Sequence, residues 1–348
     1  MDNKKDPKEI PYLDGTRAIA CLIVFISHAA NEGLLPSGFG HGFGQLGVMI
    51  FFVLSGFLMG RLYLHKDPGQ FMRPYISSRI ARVLPLYYVI LVSSLLISLF
   101  PSSQELFYYF FDLRNHGQVI GSLTLMTGYK VMWSIPVEVR FYLGFILLWI
   151  LTMRARQKIR FSLLVAAAFT ILSIALQRFF YISNYWFAFL FGVAAHHLSL
   201  APIQSKAFRG AIHATGVIWL ALIFISRPDL GSMHFKEIFR YTWHNFLYWV
   251  FVLCFFFSVI FKSKSLAFLD FAPLKYLGKL SYGFYLYHYC FLILVTKKLG
   301  AVLGPFPLLF LSLALTTLMS HLSFHYFEKP AARFILARLA LPHRAETA

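Results

Sequence analysis

Long apolar stretches divided by short charged ones set the pattern of this chain. Runs free of Asp, Glu, Lys and Arg cover 18–31, 33–60, 83–104, 141–153, 161–177, 179–205, 211–226, 241–261, 280–296 and 299–327. A helix needs about 20 largely apolar residues to cross the hydrocarbon layer of a bilayer. The first and fourth runs approach that length once Asp14 or Arg17, and Glu138 or Arg140, are admitted at their edges. The pattern predicts an all-α integral membrane protein of about ten transmembrane helices, joined mostly by short loops. Residues 1–11 are expected as a cytoplasmic N-terminal segment, 12–330 as the transmembrane domain and 331–348 as a cytoplasmic tail. Asp14 and Arg17 at the start of the first span argue against a cleaved signal peptide and for an uncleaved first span.

Composition agrees with this pattern. Of the 348 residues, 58% are hydrophobic and 13% charged, and 39 are phenylalanine. A soluble domain is roughly 45–50% apolar and about 25% charged, and one globule of this size cannot hide the excess. A soluble enzyme, a disordered chain, a collagen-like fibre and a disulfide scaffold are excluded. Cys21, Cys254 and Cys290 lie within apolar runs without CxxC spacing, so neither a disulfide framework nor a zinc site is expected.

The net charge of +18 raises the question of a nucleic-acid partner. Its distribution answers otherwise. With the N-terminus inside, cytoplasmic segments carry 23 Lys and Arg and outer segments eight. That asymmetry predicts both termini in the cytoplasm. There is no basic arm or separate domain for nucleic acid to bind.

Ionisable groups within apolar helices mark function, because each is costly there and turns toward a polar cavity. In the first span, Arg17 and His28 are eleven residues apart. That is three turns plus about 20°, so they share a face about 16 Å apart along the axis. A cation at the inner mouth and an imidazole at the outer end suit a long ligand with an anionic head and a reactive tip. A snorkelling Arg and a hydrogen-bonded His are the competing account. Arg79 and Arg82, at i and i+3, begin the third span. Guanidinium pairs recognise phosphate oxygens, although positive-inside anchoring explains most such residues. Trp133 marks an interface, and Glu138 and Arg140 then enter the membrane. Residues two apart do not face each other on a helix, so Glu138 is expected to point into a cavity, or else to partner a neighbouring Arg. His321, His325 and Glu328 fall at i, i+4 and i+7, but HLSFH lacks the Glu of HExxH. Polar contacts are expected there, and no metal. His196 and His197 end a span and are expected to face lipid headgroups. The stretch GFGHGFGQLG follows no strand and reads as an outer loop.

Taken together, these segments resemble the membrane-bound acyltransferase family 3, whose members O-acylate cell-surface glycans and other acceptors. The resemblance rests on YLDGTRAIACLIVFISHA, GVMIFFVLSGFLMG, SRIARVLPLYY, WSIPVEVRFYL, LGKLSYGFYLYH and FHYFEKP, six segments in family order across residues 12 to 330. Val139 and Arg140 depart from the acidic or amide residues common at their positions. The resemblance implies an O-acyltransferase of the bacterial cytoplasmic membrane. Its donor would be cytoplasmic acyl-CoA, usually acetyl-CoA, and its acceptor an extracytoplasmic carbohydrate or glycolipid hydroxyl. Arg17, Arg79 and Arg82 would hold the CoA phosphates. His28 would act as general base or carry a transient acyl group, with Glu138 orienting it, compensating its charge or touching the acceptor. Trp133, Ser134 and His288 would meet the substrate. A transporter or flippase of a lipid-linked intermediate is the rival reading, since polar residues at membrane depth fit it too.

Overall fold

A computed structural model describes residues 12–40, 42–100, 115–155, 164, 167–168, 185–199, 205–225 and 246–339. The expected N-terminal segment 1–11, most of the expected span at 161–177 and the tail beyond 339 lie outside the described residues. Among those described there is no strand. The α-helices are α1 (Leu13–Asn31), α2 (Gly44–Tyr63), α3 (Pro68–Ser98), α4 (His116–Leu123), α5 (Ser134–Arg154) and α6 (Trp186–Ser199). They continue as α7 (Lys206–Ile225), α8 (Phe246–Ile260), α9 (Ala272–Lys279), α10 (Ser281–Leu299), α11 (Pro305–Ser323) and α12 (Lys329–Leu339).

Among the described residues, five stretches are long and apolar enough to cross a membrane: Leu13–Asn31, Ser37–Tyr63, Pro68–Ile97, Lys130–Arg154 and Pro305–Leu339. A sixth is added if Tyr248–Ile260 and Lys264–Asp270, bent by 80°, form one broken span. That is fewer than the ten expected from the apolar runs, one of which falls almost wholly outside the described residues.

Close backbone approach, rather than large apolar side chains, locks α2 to α6. A Cβ on Gly56 would meet the carbonyl oxygen of Phe189, and one on Gly192 the carbonyl oxygen of Val53. Small residues permit such contact between spanning helices, where dispersion and packing drive association in place of the hydrophobic effect. Phe189 then stacks between Phe52 and Phe141, with ring centroids 4.3 and 4.1 Å away. This joins α2, α5 and α6. Helix α1 lies centrally, packed on α2, α9 and α10.

In α11 the usual polarity is inverted. Ser312, Thr316 and Ser320 are buried in a stripe of period four, while Phe306, Phe310 and Leu318 are exposed. Each of the three hydroxyls donates to the carbonyl four residues back. Polar atoms are thus satisfied within the helix, and the apolar face is left for lipid. The small face packs on α10, where Ser320 lies beside Gly283.

Candidate active site

Helices α1, α2, α3, α5 and α10 surround a partly open cavity, about 560 Å³ when the solvent at its mouth is included. Its polar lining comprises Arg17, Ser55, Arg82, Ser134, Glu138, Ser281, Tyr282 and Tyr285. The Glu138 carboxylate accepts from Ser55 Oγ at 2.8 Å and from the Tyr142 hydroxyl at 2.5 Å. Ser134 Oγ donates to the Tyr285 hydroxyl at 3.0 Å. The Tyr282 hydroxyl donates to the Val83 carbonyl at 2.6 Å, tying α10 to α3 beside Arg82. Arg17 pairs with Asp14 at 2.5 Å, and its Nε is buried without a hydrogen-bond partner. The snorkelling account of Arg17 is therefore incomplete: an ion pair holds one nitrogen, and the side chain also lines the cavity.

Arg79 and Arg82 are separated. Arg82 lines the cavity, whereas Arg79 lines a second, largely apolar cleft between α3 and α5, with Ile76, Ile80, Leu84 and Leu143. Arg79 lies over the Tyr142 ring at 5.6 Å, and its Nε donates to Ser78 Oγ at 3.4 Å. Tyr142 links the two spaces, offering its ring to Arg79 and its hydroxyl to Glu138.

A second cluster surrounds His28. Its ring lies 5.2 Å from that of His288 and 4.8 Å from that of Tyr289. His288 is 1% exposed. Its Nδ1 lies 2.6 Å from the Tyr285 carbonyl and must donate to it, while Nε2 is buried with no hydrogen-bond partner. Tyr285 therefore connects the clusters, its hydroxyl in the cavity and its carbonyl on His288. Glu138 stands on the cavity side with the arginines. Its described hydrogen bonds go to Ser55 and Tyr142, and a bond to His28, one of the roles open to it from the sequence, is not among them. One turn beyond His28, the Tyr289 hydroxyl donates to Glu32 at 3.5 Å. Burial pushes the Glu32 carboxyl up, against the hydrogen bond from Tyr289 and the charges of Lys297 and Lys130.

The remaining sequence candidates divide. Trp133 packs its ring against Phe52 and Tyr185, at 6.1 and 4.8 Å. Arg140 donates from Nε to the Pro136 carbonyl and from Nη2 to the Met126 carbonyl, at 3.0 and 2.9 Å. It clamps the turn after α4 and takes a different direction from Glu138, as their spacing predicts. The Tyr276 hydroxyl lies between His321 Nδ1 and His325 Nε2, at 2.5 and 3.2 Å. Glu328 instead accepts from Ser323 Oγ at 2.9 Å. Among the described residues no group of three or more His, Cys, Asp or Glu could hold a metal ion. The expectation that His196 and His197 face headgroups is corrected, because both are buried at 8% exposure. Gly60 makes room for the His196 ring against α2. Ser55, Tyr142 and Tyr285 were not singled out in the sequence; as uncharged residues they break no apolar run.

A family described as "Acyltransferase domain" matches residues 10–324. The chain is 27% identical to the "Peptidoglycan O-acetyltransferase OatA" of Listeria monocytogenes, over 93% of this chain and 56% of that protein. It is 28% identical to the "Putative peptidoglycan O-acetyltransferase YrhL" of Bacillus subtilis, over 92% of this chain and 54% of that protein. The chain thus spans about half the length of these curated relatives. No solved structure matches it.

Proposed function

The chain belongs to this acyltransferase-domain family, and from that premise we propose that it carries an acetyl group from cytoplasmic acetyl-CoA to a hydroxyl of an extracytoplasmic carbohydrate. The relatives' names make a peptidoglycan sugar the first acceptor to test. Membership favours catalysis over the transporter reading. One observation carries the proposal: α1 sends Arg17 into a cation-lined cavity and His28, eleven residues on, into an imidazole pair, and Tyr285 touches both.

In this reading Arg82 and Arg17 hold phosphate oxygens of the donor, with charge-assisted hydrogen bonds supplying affinity. The pantetheine arm lies along α1 toward His28, a distance of about 16 Å. His28 takes the proton of the acceptor hydroxyl, and the oxygen attacks the thioester carbon. The C–S bond breaks as the ester forms, and the departing thiolate takes the proton from His28. The products are the O-acetylated sugar and CoA with its free thiol. Glu138, held by Ser55 and Tyr142, balances the arginine charge in the cavity and keeps Tyr142 under Arg79.

Sidedness tests the reading. In sealed proteoliposomes of one orientation, transfer is expected only with acetyl-CoA on the cytoplasmic face and a glycan-strand fragment on the other. Equal transfer with both on the cytoplasmic face would overturn the transmembrane route. A binding measurement separates the two arginines. Arg82→Ala is expected to weaken acetyl-CoA binding, measured by calorimetry, by about tenfold or more, since hydrogen bonds to charged groups contribute about 1.5–3 kcal/mol. Arg82→Lys recovers part of this, lacking the planar fork. Arg79→Ala has the smaller effect on binding, because its side chain lines the other cleft. Equal losses from Arg79 and Arg82 would contradict the division.

A further inference from the structure

We propose that His288 is a positioning residue, whose Nε2 accepts the N–H of His28 and so turns the basic nitrogen of His28 toward the acceptor hydroxyl. The inference rests on the reading of His28 as general base and extends it to a residue on another helix.

The argument begins with donors and acceptors. A neutral imidazole has one N–H and one lone pair. A carbonyl oxygen only accepts, so the 2.6 Å contact to Tyr285 O places the His288 proton on Nδ1. The lone pair of a neutral His288 is then on Nε2. That atom is buried and has no hydrogen-bond partner in the protein. An unsatisfied buried polar atom costs about 1–3 kcal/mol. Such an orphan beside a reacting centre points to a contact completed during function. The ring of His28 is 5.2 Å away, tilted by 48°. Phe284 stacks parallel to His288 on its own helix, at 6.4 Å and 5°. Apolar packing and the Tyr285 bond therefore hold the imidazole in one orientation, as an orienting group requires.

The chemistry follows from the tautomer. When His28 gives its N–H to His288 Nε2, the lone pair of His28 lies on its other nitrogen, open to the acceptor. After His28 takes the acceptor proton, the same hydrogen bond steadies the imidazolium until the thiolate is protonated. No net proton is exchanged with His288, and the sequence of bonds made and broken is that of the transfer already given. An uncharged partner here avoids placing a carboxylate within an apolar helix bundle, where an ion is costly.

The test uses the full chain in proteoliposomes, with radiolabelled acetyl-CoA and a glycan-strand fragment. His288→Leu is expected to lower kcat by about 10- to 100-fold, the scale on which orienting partners of imidazoles act. The KM for acetyl-CoA should be unchanged, because His288 is not among the residues that line the donor cavity. His288→Gln, whose amide oxygen reaches the Nε2 position, should recover most of the loss. His288→Asn, which reaches only the Nδ1 position, should not. Equal activity of the Leu, Asn and Gln variants, whether near wild type or uniformly low, would overturn the inference. So would a loss confined to KM. His28→Ala separates the two levels: if it is inactive while His288→Leu is unimpaired, the positioning role alone fails. If His28→Ala is active, the general-base reading fails and the positioning role with it.

Discussion

Replacing His28 with Ala is expected to reduce kcat by about 10²–10⁴-fold, the usual worth of a positioned general base. Acetyl-CoA binding should be nearly unchanged. His28 is not among the residues that line the cation-lined cavity, and none of those residues touches the imidazole through a described hydrogen bond. Folding should also survive. His28 is half-buried, and its described ring contacts are to His288 and Tyr289, so a truncated side chain removes little packing. Steady-state rates and calorimetry on the same preparation measure both quantities. Turnover within a few-fold of the wild type would move the chemistry elsewhere, with His288 and Glu138 the next residues to replace.

Gly192→Leu is expected to cost more than activity: it should prevent a stable fold. Ordinary overpacking of a core costs about 1–3 kcal/mol, because neighbouring side chains and short backbone segments yield. Here the obstruction is the Val53 carbonyl and the Phe57 amide of α2, within a continuous helix that cannot shift one residue alone. Helix α6 would have to move away from α2 as a body. That would separate Phe189 from Phe52 and Phe141 and displace α5, which carries Glu138 and Ser134. Loss of a monodisperse peak on size exclusion in detergent, with loss of all transfer, is the expected result. Gly56→Leu should behave alike, since its Cβ would meet the Phe189 carbonyl. Gly210→Leu on α7 is the control. Nothing lies within 4 Å of a Cβ there, and in a helix interior Leu is favoured over Gly by somewhat less than about 1 kcal/mol. A well-folded Gly192→Leu protein would show that the α2–α6 contact is not as close as the structure has it.

These two predictions draw on different sources, and the difference shows what each level of description determines. The relation of Arg17 to His28 was legible in the sequence, because both lie on one helix and 3.6 residues per turn sets their separation and shared face. The divergence of Glu138 from Arg140 was legible for the same reason, and the structure sends one to the cavity and the other to the Met126 carbonyl. The apolar runs gave most of the helices because an unpaired backbone in lipid must form its hydrogen bonds internally.

Relations between helices were not legible in that way. A place for Glu138 beside His28, in a cavity or next to an Arg was open from the sequence, and its partners Ser55 and Tyr142 put it in the cavity that Arg17 and Arg82 also line. Arg79 and Arg82 share a helical face, but the crossing of α5 over α3 puts Tyr142 between the spaces they line. His196 and His197 sit at the end of an apolar run and are nonetheless buried, one of them in the room left by Gly60. His288 faces His28 only because α10 packs on α1. Helical periodicity is a local rule, and it orders residues along one axis from sequence alone. Which axes adjoin, and at what rotation, depends on where backbones can approach at glycines and where tyrosine hydroxyls find distant carbonyls. Those contacts join residues far apart in the chain and leave no period in it, so the tertiary structure alone decided them.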